Sequence, residues 1–291
     1  MTTLLQAWTG ARERLKAAGV DSPVIDSRLL VEAAADVRRI DLVSDPHRQI
    51  TDEQAARLEE YVSRRERREP VARILGRKGF WKIALTLNPH VLVPRPDTET
   101  VLDVVLAAFD EYRAFNMLDL GVGSGAILLA ILAERPLAKG LGIDVSEEAL
   151  AVARDNAAHL SIENRVALLR SDWTAGLADE SFDLVVSNPP YIRTADIETL
   201  DPEVRDHEPR LALDGGADGL DAYRILAPEV LRVLKPGGLF ALEIGADQSS
   251  DVETLFKAAG AEGVRTQKDI GQRDRVVTGT KNSLGNSTGN R

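Results

Sequence analysis

The feature that most constrains the fold of this chain is a glycine-rich turn between an apolar strand and an apolar helix. Residues 117–125 read Met-Leu-Asp-Leu-Gly-Val-Gly-Ser-Gly, and residues 126–130 continue as Ala-Ile-Leu-Leu-Ala. A strand, a glycine turn and a helix in this order open the nucleotide-binding half of an open α/β sheet. We therefore predict a Rossmann-like sheet that binds a ligand beside this turn.

The segments around this turn alternate between strand-like and helix-like patterns. Strands are predicted at 116–121, 139–144, 165–170, 182–187, 238–245 and 274–280. Helices are predicted at 98–113, 125–134, 146–158, 219–234 and 248–258. Such alternation is typical of an α/β fold with a mostly parallel, doubly wound sheet, whose ligands bind at the carboxyl ends of the strands.

The chain before this alternation has a different pattern. Apolar residues recur at helical spacing through residues 4–75, where Thr51 and Gln54 form a capping box. Residues 76–93 alternate as in a β-hairpin. We predict an N-terminal helical domain at 1–75, a hairpin linker at 76–93, a catalytic domain at 94–281 and a disordered tail at 282–291.

Acidic residues follow the predicted strands in a pattern that indicates the ligand. Asp119 precedes the first glycine by two residues, where an acid can bind an ammonium group that S-adenosylmethionine has and dinucleotides lack. Asp144 lies about 20 residues beyond the glycines, where ribose hydroxyls are bound. Asp172 and Trp173 suit an adenine amino group and its ring. The predicted cofactor-binding residues are Asp119, Gly121, Val122, Gly123, Ser124, Gly125, Asp144, Asp172, Trp173 and Asn188.

The predicted strand at 182–187 is followed by Asn188-Pro189-Pro190-Tyr191. The Asn188 side-chain oxygen and the Pro189 carbonyl can accept hydrogen bonds from both N–H groups of a planar –NH₂. Tyr191 offers a flat face for stacking. We predict that these four residues are catalytic and bind a planar amide or a ring amine, although the same sequence also suits a proline-rich turn with a packed tyrosine.

Composition narrows the classes of protein that remain. The 291-residue chain has no cysteine and four scattered histidines, so we expect neither disulfides nor a metal site. Its net charge of −10 argues against a broad basic surface for nucleic acid. A charged N-terminus and the absence of an apolar stretch of ~20 residues favour a cytoplasmic protein without membrane contact. We expect a monomer.

Three further segments carry a resemblance to a known family. Residues 69–76 read Glu-Pro-Val-Ala-Arg-Ile-Leu-Gly, and residues 91–99 read Val-Leu-Val-Pro-Arg-Pro-Asp-Thr-Glu. Residues 206–224 contain Asp-His-Glu-Pro and Leu-Asp-Gly-Gly. Together with the two motifs above, the chain resembles the protein-(glutamine-N5) methyltransferases that modify peptide chain release factors, the PrmC/HemK family. The departures from the family pattern are Arg73, Val122 and His207.

This resemblance implies an activity and a partner. The cofactor would be S-adenosylmethionine, with S-adenosylhomocysteine as product. The substrate would be the glutamine of the Gly-Gly-Gln motif in class 1 release factors, whose methylation tunes translation termination, and the N-terminal helical domain would contact the release factor. Tyr191, with Phe80 or Arg95, would wall the substrate pocket.

Two other functions remain open from the residues alone. Nucleic-acid methyltransferases acting on adenine N6 or guanine N2 use the same Asn-Pro-Pro-Tyr chemistry on a flipped base. A non-enzymatic module that binds a release factor is the other alternative. The negative charge argues against the first, and the intact cofactor turn and tetrapeptide argue against the second.

Overall fold

The computed structural model describes residues 2–283, which form two compact units. The first unit runs to Arg77 and also includes Asp201–His207, and the second comprises the rest of the described chain. The sequence predicts residues 201–207 within the catalytic domain, whereas the structure packs this segment with the N-terminal helices. The tail predicted at 282–291 lies almost wholly outside the described residues.

The first unit is helical, as predicted. Thr51 caps its longest helix: its hydroxyl accepts from the Gln54 backbone N–H at 3.1 Å, and the Gln54 side chain accepts from the Thr51 N–H at 3.0 Å. The predicted capping box is therefore confirmed. The helices of this region are α1 Leu4–Ala17, α2 Pro23–Ala35, α3 Arg39–Ser44, α4 Asp52–Glu66 and α5 Val71–Ile74.

Two arginines of the arginine-rich segment 64–68 form ion pairs inside this unit. Arg65 is buried and contacts Asp26 at 2.8 Å and Glu203 at 3.0 Å. Arg68 contacts the same Glu203 carboxylate at 2.8 Å. Because a buried charge is costly without partners, these ion pairs hold Asp201–His207 against α2 and α4.

A β-hairpin follows, and strands then alternate with helices. The strands are β1 Arg77–Phe80, β2 Ile83–Thr86, β3 Asn116–Leu120, β4 Lys139–Asp144, β5 Val166–Arg170, β6 Phe182–Ser187, β7 Leu234–Glu243, β8 Ala261–Lys268 and β9 Asp274–Lys281. The helices are α6 Glu99–Ala108, α7 Ala126–Glu134, α8 Glu147–His159, α9 Pro202–Arg205, α10 Asp221–Val233 and α11 Ser249–Ala258, with short 3₁₀ turns between some of them. No described helix is long and apolar enough to span a membrane.

The second unit contains a sheet in the order β5-β4-β3-β6-β7-β9-β8. Strands β3 to β7 run parallel, and β9 is antiparallel to both of its neighbours. The predicted doubly wound α/β fold is confirmed. Strand β8 was not predicted, because its exposed charged residues hide the alternation. The helix predicted at 98–113 is wrong at its end: it stops at Ala108, and Phe109 is extended and packs its ring on Phe115.

The strand register brings the ends of the parallel strands to one edge. Leu120 of β3 lies beside Ile143 of β4 and Ser187 of β6. The Ser187 hydroxyl also donates to the Leu120 carbonyl at 2.7 Å, which ties β3 to β6 at their carboxyl ends. The loops after these strands therefore start side by side, at the edge where ligands of such sheets bind.

Candidate active site

A cavity of about 250 Å³ opens at this edge of the sheet. Its lining contains most of the residues that the sequence predicted for a cofactor and an acceptor amide. These are Asp119, Gly121, Val122, Gly123, Ser124, Asp144, Asp172, Trp173, Asn188, Pro189 and Pro190. Gly125, Tyr191, Phe80 and Arg95 do not line it.

The glycine turn has two distinct parts. Gly121 and Gly123 have φ of 73° and 53°, a left-handed conformation that favours glycine, and both face the cavity. Gly125 has φ of 83° and begins α7, where an added Cβ would lie 2.8 Å from the Leu129 side chain. Gly125 therefore has a packing role, because its lack of a Cβ leaves room for the Leu129 side chain in the first turn of α7.

Asp119 provides an unpaired buried charge at the cavity. The residue is 1% exposed, and its Oδ2 accepts from the Leu128 backbone N–H at 3.1 Å. Within the described part of the chain, Oδ1 has no hydrogen-bond partner. Burial is the main reason why the pKa of this carboxyl is raised to about 7; the Leu128 N–H lowers the pKa and the nearby Asp144 carboxylate raises it by smaller amounts. A bound cation would relieve this cost, so the site fits the ammonium group of a methionine moiety.

Asp144 braces the glycine turn and faces the same cavity. Its Oδ2 accepts from the Gly123 N–H at 3.0 Å, and its Oδ1 accepts from the Ser146 N–H at 3.0 Å. Each carboxylate oxygen keeps a second lone pair, which leaves room for a ribose hydroxyl. Asp172 is exposed and Trp173 is half-buried at the adjoining wall, where the carboxylate and the indole can contact an adenine.

The Asn188 side chain is oriented by a threonine. Its Nδ2 donates to the Thr98 Oγ1 at 3.4 Å, so the Asn188 Oδ1 is left available to accept a hydrogen bond. Pro189 and Pro190 line the cavity beside it. Tyr191 lies behind them and donates its hydroxyl to the Glu243 Oε1 at 3.2 Å. Burial is the main reason why the pKa of this phenol lies well above its usual range.

Two residues expected at the substrate wall, Phe80 and Arg95, do not line the cavity. Phe80 is the last residue of β1, and its side chain points inward. It is 2% exposed and packs in the hydrophobic core with Ile83 and Leu85. Arg95 is partly exposed and donates to the Glu208 Oε1 at 2.9 Å. We therefore leave Phe80 out of the proposed site, and a substrate contact by Arg95 stays a prediction.

Three residues that the sequence did not predict support the site: Thr98, which also lines the cavity, Asn156 and Glu243. Asn156 of α8 is buried and donates to the Ser124 carbonyl at 2.9 Å, which holds the glycine turn. Thr98 contacts Asn188, and Glu243 contacts Tyr191. The signal for Glu243 was present, since it is a carboxylate at the end of an apolar strand, as Asp119 and Asp144 are.

Comparison with known proteins agrees with this geometry. Residues 6–76 match the family described as PrmC N-terminal domain, and residues 112–276 match the family described as methyltransferase domain. A relative from Caulobacter vibrioides named release factor glutamine methyltransferase is 67% identical over 97% of this chain and 98% of its own length. A relative of the same name from Rhodospirillum rubrum is 46% identical over 94% of this chain and 83% of its own length. Another from Moorella thermoacetica is 40% identical over 94% of this chain and 96% of its own length. The chain therefore belongs to the release factor glutamine methyltransferase family.

Proposed function

We propose that this enzyme transfers a methyl group from S-adenosylmethionine to the side-chain amide nitrogen of the glutamine in the Gly-Gly-Gln motif of class 1 release factors. The observation that carries the proposal is that one cavity holds both an unpaired buried carboxylate, Asp119, and the two amide acceptors of the Asn188-Pro189 segment. The names of the relatives support the same substrate.

Each polar group of the cofactor would have a binding residue at one end of the cavity. S-adenosylmethionine supplies an electrophilic methyl group on a sulfonium when it is bound. Asp119 would bind its ammonium group, and the Gly121–Ser124 turn would lie against the methionine part. Asp144 would accept from the ribose hydroxyls. Asp172 and Trp173 would contact the adenine amino group and ring.

The acceptor end would work by orientation. An amide nitrogen is a poor nucleophile because its lone pair is delocalised. The Asn188 Oδ1 and the Pro189 carbonyl would accept hydrogen bonds from both N–H groups and hold the nitrogen with its lone pair toward the methyl donor. The amide nitrogen would bond to the methyl carbon as the carbon–sulfur bond breaks and S-adenosylhomocysteine leaves. The alkylated nitrogen would then lose a proton to water readily, so no residue of the cavity needs to be a strong base. Most of the acceleration would come from positioning and from exclusion of water.

The N-terminal unit would bind the release factor, and the enzyme would act as a monomer in the cytoplasm. The net charge of −10 disfavours stable binding to nucleic acid.

Mass spectrometry of a purified release factor after incubation with the enzyme and S-adenosylmethionine tests the proposal. Duplex DNA and ribosomal RNA would be incubated in parallel. We expect one added methyl group, located by fragmentation on the Gly-Gly-Gln glutamine. A methyl group on adenine or guanine, with none on the protein, would overturn the proposed function.

A further inference from the structure

One buried carboxyl group is connected to both ends of the Asn188–Tyr191 segment. Glu243 ends β7 and is 1% exposed, and its Oε1 accepts from the Tyr191 hydroxyl at 3.2 Å. Among the described residues, its Oε2 has no hydrogen-bond partner. The Thr98 hydroxyl lies close enough to lower the pKa of this carboxyl. Because an unsatisfied buried oxygen is costly, an orientation of the Thr98 hydroxyl with its proton toward Glu243 would be favoured.

This arrangement gives the hydrogen bonds a direction. A threonine hydroxyl has one proton to donate. When that proton points to the Glu243 carboxylate, the Thr98 oxygen can only accept, and the Asn188 Nδ2 is its donor at 3.4 Å. The Asn188 amide is thereby held with Nδ2 toward Thr98 and with Oδ1 free to accept from the substrate. The opposite amide orientation would present N–H groups to an acceptor amide that itself donates.

We propose that Glu243 is a positioning residue for methyl transfer, which fixes the orientation of Asn188 through Thr98 and holds Tyr191 directly. This inference rests on the proposed function, because the orientation matters only for an acceptor that donates N–H groups. It assigns Glu243 no contact with substrate or cofactor, since Glu243 does not line the cavity.

The ionisation state of Glu243 supports this role. Burial raises the pKa of this carboxyl to about 7, whereas Thr98 and the Arg275 guanidinium lower it. The other charged or titratable groups that face it are Tyr191, Tyr223 and Asp97, from three further segments. A carboxylate can only accept hydrogen bonds. The protonated acid can donate to the Thr98 oxygen, and the Thr98 hydroxyl is then no longer held with its proton toward Glu243. The transfer rate at saturating cofactor should therefore rise with pH through about 7.

The test compares Glu243→Gln with a matched control. Glutamine keeps the shape of the side chain but can donate to Thr98. Glu253→Gln is the control, because Glu253 in α11 also accepts from a threonine hydroxyl, Thr266 at 2.7 Å, and lies outside the cavity. We expect Glu243→Gln to lower kcat at pH 8 about 10-fold or more and to flatten its pH profile. Cofactor Kd should stay near wild type for Glu243→Gln, and its Tm at pH 8 should not fall, because the buried carboxylate with a raised pKa is removed. All parameters should stay near wild type for Glu253→Gln.

The path through Thr98 is tested by a double-mutant cycle. Thr98→Val removes the hydroxyl and should lower kcat, whereas Thr98→Ser keeps it and should restore most of the rate. Glu243→Gln should have little further effect in the Thr98→Val background. Unchanged kcat in Glu243→Gln, or additive effects in the double variant, would overturn the inference alone. A wild-type enzyme that fails to methylate the release factor would instead overturn the proposed function, and the inference with it.

Discussion

Two fully buried carboxyl groups lie at and behind the cavity, and they differ in what surrounds them. Burial raises the pKa of both Asp119 and Glu243 to about 7. Asp119 faces the cavity with one oxygen unpaired, whereas Glu243 lies behind it and accepts from Tyr191. Under the proposed roles, a buried acid binds a ligand when its missing partner is that ligand, and it positions other residues when its partner is a protein hydroxyl.

The largest expected effect is at the acceptor end. Asn188→Ala removes the side-chain acceptor and should lower methyl transfer by at least about 100-fold, by analogy with the removal of one hydrogen-bonding group from an active site. Cofactor binding should persist, because Asp119 and Asp144 remain. Parallel measurement of turnover and of cofactor affinity by calorimetry checks this. Turnover at the wild-type rate would remove Asn188 from the mechanism.

At the cofactor end, Asp119→Asn removes a buried charge while keeping its shape. S-adenosylmethionine should bind about 30-fold more weakly or worse at pH 8, because its ammonium group loses a desolvated partner. In the wild type, affinity should also fall as pH decreases below about 7, where Asp119 becomes protonated. Calorimetric Kd values across pH test both statements, and a variant with wild-type affinity would contradict the ammonium assignment.

The same substitution has an opposite effect on stability. The pKa of Asp119 is higher in the folded protein than the ordinary value of 3.8, so the folded state binds the proton more tightly. Its contribution to stability is full below about pH 4 and is lost as pH rises toward 7. Asp119→Asn should therefore raise the Tm of the cofactor-free protein at pH 8, with little change at pH 4. A lower Tm at pH 8 would show that the charge is compensated.

Asp144→Ala should weaken cofactor binding by an amount comparable to that of Asp119→Asn. Loss of a charge-assisted hydrogen bond to ribose should weaken binding by about 1.5–3 kcal/mol. Part of this change would come from the Gly123 N–H, which loses its acceptor. A shortened cofactor analogue without ribose hydroxyls separates the two causes: its affinity should fall less than that of the full cofactor. Equal losses for both ligands would count against the ribose assignment.

The smallest expected effect concerns Phe80. Phe80→Leu removes volume from the core and should lower the free energy of unfolding by about 1–2 kcal/mol. Because Phe80 does not line the cavity, the KM for the release factor should stay within experimental error. Denaturant unfolding and steady-state kinetics measure the two quantities. A raised KM at unchanged stability would restore Phe80 to the substrate site.

The sequence predicted that Asp119, Asp144 and Asn188 lie together, and the structure places all three at one cavity. Asp119, Asp144 and Asn188 meet because the carboxyl ends of neighbouring parallel strands share one edge, which the alternating pattern already implies. The glycine turn was recognisable for the same reason. The role of Gly125 was less accessible, since its contact with Leu129 depends on how α7 packs.

The supporting groups could not be predicted in this way. Thr98 and Glu243 are 145 residues apart by their numbers in the sequence, and only the packing of the segment before α6 against β7 brings them together. Asn156 similarly holds Ser124 from the middle of a helix. A polar residue in an apolar segment marks such positions, but its partner depends on tertiary contacts. The placement of Asp201–His207 with the first unit depends on buried ion pairs that no local pattern shows.

The most direct test of the contrast between the two carboxyl groups measures one pair of quantities in two variants. Cofactor Kd and the single-turnover transfer rate at saturating S-adenosylmethionine would be determined for Asp119→Asn and Glu243→Gln at pH 8. We predict a crossed result, in which Asp119→Asn changes mainly the Kd and Glu243→Gln changes mainly the rate. If both variants changed the same quantity, the separation between a ligand-binding acid and a positioning acid would be contradicted.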